Sequence, residues 1–267
     1  MGFRGPIAKM KTAFEVPVRY ALPIGSESFP VNERIGRTLA LRFEGDIHCL
    51  ECGRSIKKTF QQGYCYPCYR RLACCDVCIV KPELCHYAKG TCREPEWGET
   101  HCLIPHSVYL ANSSGIKVGI TRGLDPMTRW IDQGASEALV IRRTPDRLRA
   151  GKVEVAFKEF VDDRTNWRAM LKGPPEPVDL CSERDRLFAL LREKEPQREL
   201  PGEPVADAEP VAIQFPVLEY PAKVVSHDLE RKPLLEGTLL GVKGQYLIFD
   251  TAVINVRKYG GYCLSIG

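Results

Sequence analysis

The stretch Cys49-Leu-Glu-Cys52-Gly-Arg-Ser-Ile-Lys-Lys-Thr-Phe-Gln-Gln-Gly-Tyr-Cys65-Tyr-Pro-Cys68 has the spacing C-x2-C-x12-C-x2-C. Each C-x2-C turn puts two sulfurs near enough to share one tetrahedral ion at a metal–sulfur distance of about 2.3 Å. Gly53 and Gly63 supply tight backbone beside the two knuckles. Four thiolates leave no open coordination position, so a structural Zn2+ site is expected. An iron–sulfur centre and redox thiols are the competing uses of the same pattern.

Ten of the chain's 12 cysteines lie between Cys49 and Cys102. Such density in a short secreted protein would indicate disulfides. This chain has 267 residues, and its opening segment holds no apolar run of signal-peptide length, so metal binding is the better account. A second zinc is expected on Cys75, Cys78, Cys85 and Cys92, with His86 or His101 able to replace one thiolate. Cys74 offers a competing start to this group. The alternative for Cys74 and Cys102 is simple burial as small side chains. Glu99-Thr-His101 lacks the H-x-E order of a zinc deaminase site.

Arg54, Lys57, Lys58, Tyr64, Tyr66, Tyr69, Arg70 and Arg71 surround the first knuckles. Cations interleaved with aromatics suit phosphate contact plus base stacking. Solvated long side chains on a small metal core are the bland alternative. The net charge of +4 permits a nucleic-acid partner without demanding one. No segment approaches the roughly 20 apolar residues of a membrane helix. A soluble cytoplasmic protein with no membrane partner is therefore expected.

Turn residues and periodicity divide the chain into five segments. Residues 1–48 carry strand-like runs at Phe14–Tyr20 and Arg37–Phe43. Residues 49–105 form the cysteine-rich, zinc-ribbon-like module. Residues 106–172 switch to an α/β pattern. Residues 173–210 are linker-like at both ends, with one short helix from Ser182, its N-cap, to Glu195. Residues 211–267 return to strands at 238–242, 245–249 and 252–256. Gly36–Gly45 faintly echoes Glu236–Gly244, which allows the terminal segments to pair into one small β unit. The fold class expected is α+β.

Within 106–172, Ser107–Ala111 and Ile116–Thr121 read as a hairpin. Asp125 and Pro126 read as the N-cap and first position of a helix closed by Gly134. Ala138–Arg142 is a third strand. Thr144-Pro145-Asp146 opens a helix running to about Val161, with Val153, Ala156, Phe157, Phe160 and Val161 on its apolar stripe.

This order resembles the GIY-YIG nuclease superfamily. Val108-Tyr109-Leu110 lies where its first motif belongs and Lys117-Val118-Gly119 where its second belongs. Arg129 follows on the first helix, Glu154 on the second, and Asn166 twelve residues beyond. The resemblance implies that Tyr109 activates water and Arg129 clamps phosphate. It implies Glu154 as the Mg2+ ligand and Asn166 as a supporting group. Lys117 departs from the tyrosine usual in the second motif. A phage- and fungus-type branch looks like K-[IV]-G-I-T, and a lysine there can contact phosphate directly.

The whole chain is also similar to an uncharacterised family, domain of unknown function 2797. Gln62–Cys68, Pro82–His86, Gly90–Arg93, Val108–Ser114 and Gly244–Ile248 carry that likeness. It implies an architecture but supplies no activity. The function expected is zinc-containing nucleic-acid binding, with metal-dependent endonucleolytic cleavage as its catalytic form and DNA or RNA left open. The alternatives are a non-catalytic nucleic-acid or ribonucleoprotein adaptor and a zinc-stabilised protein-interaction module.

Overall fold

The computed structural model describes residues 2–161 and 164–267. Helix and strand are mixed, as an α+β chain requires. The chain divides into two compact units. One comprises the residues up to Arg71 with Leu171–Gly173 and Ile213–Gly267; the other comprises Leu72–Met170 and Pro174–Ala212.

The first unit is built on a seven-stranded antiparallel sheet. Its order is Phe3–Pro6, Tyr262–Ile266, Thr38–His48, Leu234–Lys243, Tyr246–Phe249 and Val253–Asn255, with Ser55–Ile56 added beside Thr38–His48. Leu39 and Leu41 point inward on alternate positions of the long central strand, as a half-buried strand dictates. The two echoing segments are direct partners: Thr38 stands opposite Thr238 and Leu39 opposite Gly237. A smaller sheet, Lys11–Ala13, Arg19–Ile24 and Glu27–Pro30, belongs to the same unit. The strand expected over Phe14–Tyr20 runs over Arg19–Ile24 instead. Pro17 lacks a ladder donor and lies outside the strand.

The second unit holds a five-stranded sheet. His106–Asn112 lies between Ile116–Arg122 and Glu137–Thr144, and Glu203–Pro204 and Val211–Ala212 pair with Glu137–Thr144. Helix Met127–Asp132 connects the hairpin to the third strand, and helix Arg147–Phe157 follows. Val108, Leu110, Val118 and Leu139 pack on one face against Val153, Phe157, Leu187 and Leu191. Met127, not Pro126, opens the first helix, and Asp125 Oδ1 accepts a hydrogen bond from its N–H at 2.9 Å. The second is capped by Asp146, which accepts from the Arg149 N–H, and it ends at Phe157, short of Val161. The helix expected from Ser182 runs over Leu180–Lys194. Asp179 is its N-cap because that carboxylate reaches the N–H groups of Cys181 and Ser182. Among the described residues no helix is long and apolar enough to cross a membrane.

Candidate metal centre

Cys49 follows directly on strand Thr38–His48, and Cys52 sits three residues on, in the turn that leads to Ser55–Ile56. Gly53 closes that turn at φ 69°, donating its N–H to Cys49 O at 2.9 Å. Gly63 holds φ 146° against Leu50, where a β-carbon would collide with the leucine side chain. Cys65 precedes helix Tyr66–Arg71, and Cys68 lies on it.

These turns bring the four sulfurs of Cys49, Cys52, Cys65 and Cys68 within 4.8 Å of one another. Cys52 Sγ and Cys65 Sγ are 3.8 Å apart. A tetrahedron with metal–sulfur bonds of about 2.3 Å has edges of about 3.8 Å. A disulfide needs about 2.05 Å, far shorter than that separation. Cys49, Cys65 and Cys68 are buried and Cys52 is exposed.

Local donors favour thiolate at two positions. The Cys65 N–H donates to Cys49 Sγ and the Arg54 Nε–H to Cys52 Sγ, each at 3.2 Å. The Arg54 backbone N–H and then the guanidinium pull the Cys52 thiol down to about 6. Burial opposes the same effect at Cys49, but the N–H groups of Cys52, Cys65 and Glu51 hold it below the ordinary thiol value. Burial and the three other sulfurs push Cys68 up to about 12. Four thiols, two of them more acidic than an ordinary thiol, fit a divalent zinc ion. Zinc bound here would tie the two knuckles together with no coordination position left for a substrate.

The later cysteines lie in the second unit. Cys78, Cys85, Cys92 and Cys102 line one small cavity together with Asp76 and His86. Cys75 is buried, and its sulfur lies 3.9 Å from that of Cys74. Burial, then the charges of Asp76, Cys85, Cys102 and Cys92, push the Cys78 thiol up to about 11. His101 turns to its own helix, with Nδ1 at 3.0 Å from Trp97 O and its ring stacked on the indole.

Tyr109 is fully buried and pairs with Gly119 across the hairpin. Its hydroxyl donates to Gln133 Oε1 at 2.9 Å. Burial pushes the phenol up, against the Arg129 guanidinium and the Gln133 amide, while the Glu154 charge adds to the rise. Tyr109, Arg129 and Glu154 thus share one neighbourhood. Glu154 is buried on its helix, 3.4 Å from Lys158 Nζ. Lys117 is buried in the hairpin opposite Ala111. Asn166 is exposed, and its Oδ1 accepts from the Ala169 N–H at the start of helix Trp167–Met170.

The model of the family described as protein of unknown function (DUF2797) matches residues 36–264, taking in both cysteine groups, the hairpin and the closing strands of the first unit. The chain belongs to that family. No curated protein and no solved structure matches it.

Two groups in this DUF2797 protein escape the spacing of its motifs. Gln133 occupies the Tyr109 hydroxyl from one turn beyond Arg129. Asp76 sits inside the Cys75-x2-Cys78 knuckle and reads from sequence as a spacer residue. A helical i, i+4 offset from Arg129 is the one signal that points to Gln133. No signal in the spacing marks Asp76.

Proposed function

We propose that the chain binds single-stranded nucleic acid through the knuckle surface of residues 49–71, with zinc as a structural ion beneath it. The observation that carries this reading is a cluster of three rings. Phe60 lies 5.3 Å from Tyr66 and 5.7 Å from Tyr69, the latter pair stacked at 21°. Lys58 Nζ sits 5.2 Å from the Phe60 ring centre. Tyr66 is 55% exposed, a large aromatic face left in solvent. Lys57, Lys58 and Arg70 are exposed beside the rings, while Arg71 is paired with Glu51. Bases stack on such faces in a sequence-tolerant way, and the cations meet phosphates.

Fluorescence anisotropy with labelled oligo-dT, oligo-rU and a duplex tests this reading. Binding is expected at low salt, stronger for single strands, and falling steeply between about 50 and 200 mM salt. An absence of binding at low salt removes it and leaves a zinc-stabilised protein-interaction module.

Metal-dependent phosphodiester cleavage is the second reading. The shared neighbourhood of Tyr109, Arg129 and Glu154 favours it, with Glu154 as the Mg2+ ligand. The burial of Tyr109 and the occupation of its hydroxyl favour a non-catalytic adaptor instead. Incubation of branched, single-stranded and duplex DNA and RNA with and without Mg2+ separates the two. Cleavage that Glu154→Gln abolishes would establish the enzyme.

A further inference from the structure

In the second unit a carboxylate oxygen of Asp76, the sulfur of Cys78 and a ring nitrogen of His86 all lie within 4.8 Å of one another. Asp76 precedes the short helix Val77–Val80, which carries Cys78. The cavity they border also has the thiols of Cys85 and Cys92 in its wall. Its free volume is about 20 Å³, room for one water-sized body.

The hydrogen bonds of His86 define what faces that space. Nδ1 lies 2.8 Å from Thr91 Oγ1, whose hydroxyl proton is directed to His86 O at 3.4 Å. With Nδ1–H donating to that hydroxyl, Nε2 keeps a lone pair for a metal. Nε2 stands 3.5 Å from Asp76 Oδ2. That nitrogen, the carboxylate oxygen and the Cys78 sulfur are then three donor atoms gathered around one space. Arg93 Nε holds that carboxylate oxygen at 2.6 Å, supplying positive charge beside an anionic ligand set.

We propose that this cavity is a second zinc site, with Asp76, Cys78 and His86 Nε2 as three ligands and Cys85 or Cys92 as the fourth. Two thiolates, one imidazole and one carboxylate are a set that zinc accepts in tetrahedral geometry. The Thr91 hydroxyl then plays the orienting part that a hydrogen-bond acceptor plays behind a metal-bound histidine. Two thiolates and one carboxylate around Zn2+ leave one negative charge, which Arg93 balances. This site is independent of nucleic-acid binding.

The test is the zinc content of the full chain, purified without chelator and measured by mass spectrometry of the metal. Two zinc ions per chain are expected for the wild type, and one for His86→Ala and for Cys78→Ser. Should those variants fail to fold, Co2+ titration of the metal-free wild type decides. Two equivalents are expected, the four-thiolate site giving the stronger sulfur-to-cobalt charge-transfer band and the second a mixed sulfur, nitrogen and oxygen spectrum. One zinc in the wild type, two zinc ions in either variant, or a single cobalt equivalent would overturn the proposal.

Discussion

Tyr109 lies directly across the hairpin from Gly119, and its phenol occupies the space that a side chain at 119 would fill. A β-carbon at 119 would stand 2.5 Å from the hydroxyl oxygen. Neither residue can change without disturbing the other. Gly119→Ala is expected to destabilise the protein by about 1–3 kcal/mol, the usual penalty for overpacking a filled interior. A chemical-denaturation curve measures it, and an unchanged midpoint would show that the ring swings aside freely.

Loss of one ligand from the first cysteine group should loosen the knuckles. Metal-ligand folding energies are on the order of 10 kcal/mol, more than so small a loop core can replace. Cys49→Ser is expected to release one zinc and to raise hydrogen exchange across residues 49–71. Protection in that segment equal to the wild type would exclude a structural role for the metal there.

His106 is buried, with Nδ1 bonded to Ile104 O at 2.8 Å. Burial holds its pKa down to about 4, against the Ile104 bond and reinforced by the Arg147 and Arg122 charges. Between the unfolded value of about 6.5 and the folded value of about 4, only the unfolded chain takes up the proton. Stability should therefore fall as pH drops through that window, by an amount on the order of 3 kcal/mol, and level off below it. His106→Gln should flatten the slope. Zinc release at acid pH is common to both proteins, so the difference between their denaturation midpoints isolates the imidazole.

Lys243 is fully buried, donating from Nζ to Gly173 O at 3.1 Å with the Phe215 and Tyr220 rings 5.6 and 5.3 Å away. Burial pushes its pKa down to about 8. Below about pH 8 the ammonium is charged in both states and its desolvation counts fully against folding. Between about pH 8 and about 10.4 only the unfolded chain keeps the proton, so stability should rise there. Lys243→Met is expected to raise Tm at neutral pH by a few degrees, since the thioether fills a similar volume without a buried charge. A lower Tm would mean that the Gly173 bond and the two rings outweigh desolvation.

Tyr66 is the most exposed ring of the knuckle cluster, so its removal should leave the fold intact. Tyr66→Ala is expected to weaken single-strand binding by about 1–3 kcal/mol, the usual worth of one stacked base. Parallel titrations of both proteins at fixed salt check this. Equal affinities would move the contact surface away from these rings.

Legibility in sequence tracked the range of the interactions. The C-x2-C turns are local, so spacing alone brought Cys49 beside Cys52 and Cys65 beside Cys68. The 12 residues between the pairs sufficed to close one tetrahedral group. Helix positions followed their capping and turn residues, while their first residues shifted by a few positions at most. An N-cap is chosen by which carboxylate reaches free N–H groups, and Asp179 competes with Ser182 for that task. Pro17 stopped a strand that alternation alone would have extended, because a missing donor outweighs a favourable side-chain pattern.

Residue order was enough to specify the four-thiol group, the α+β mixture and the family. Each rests on residues close in the chain or on motifs that keep their spacing. Packing was needed to set Thr38 opposite Thr238, to seal Tyr109 against Gln133, and to bring Asp76 and His86 to Cys78. Those contacts join residues through irregular turns or between segments far apart in the chain. Their geometry comes from how the sheets and helices pack, and periodicity carries no record of it.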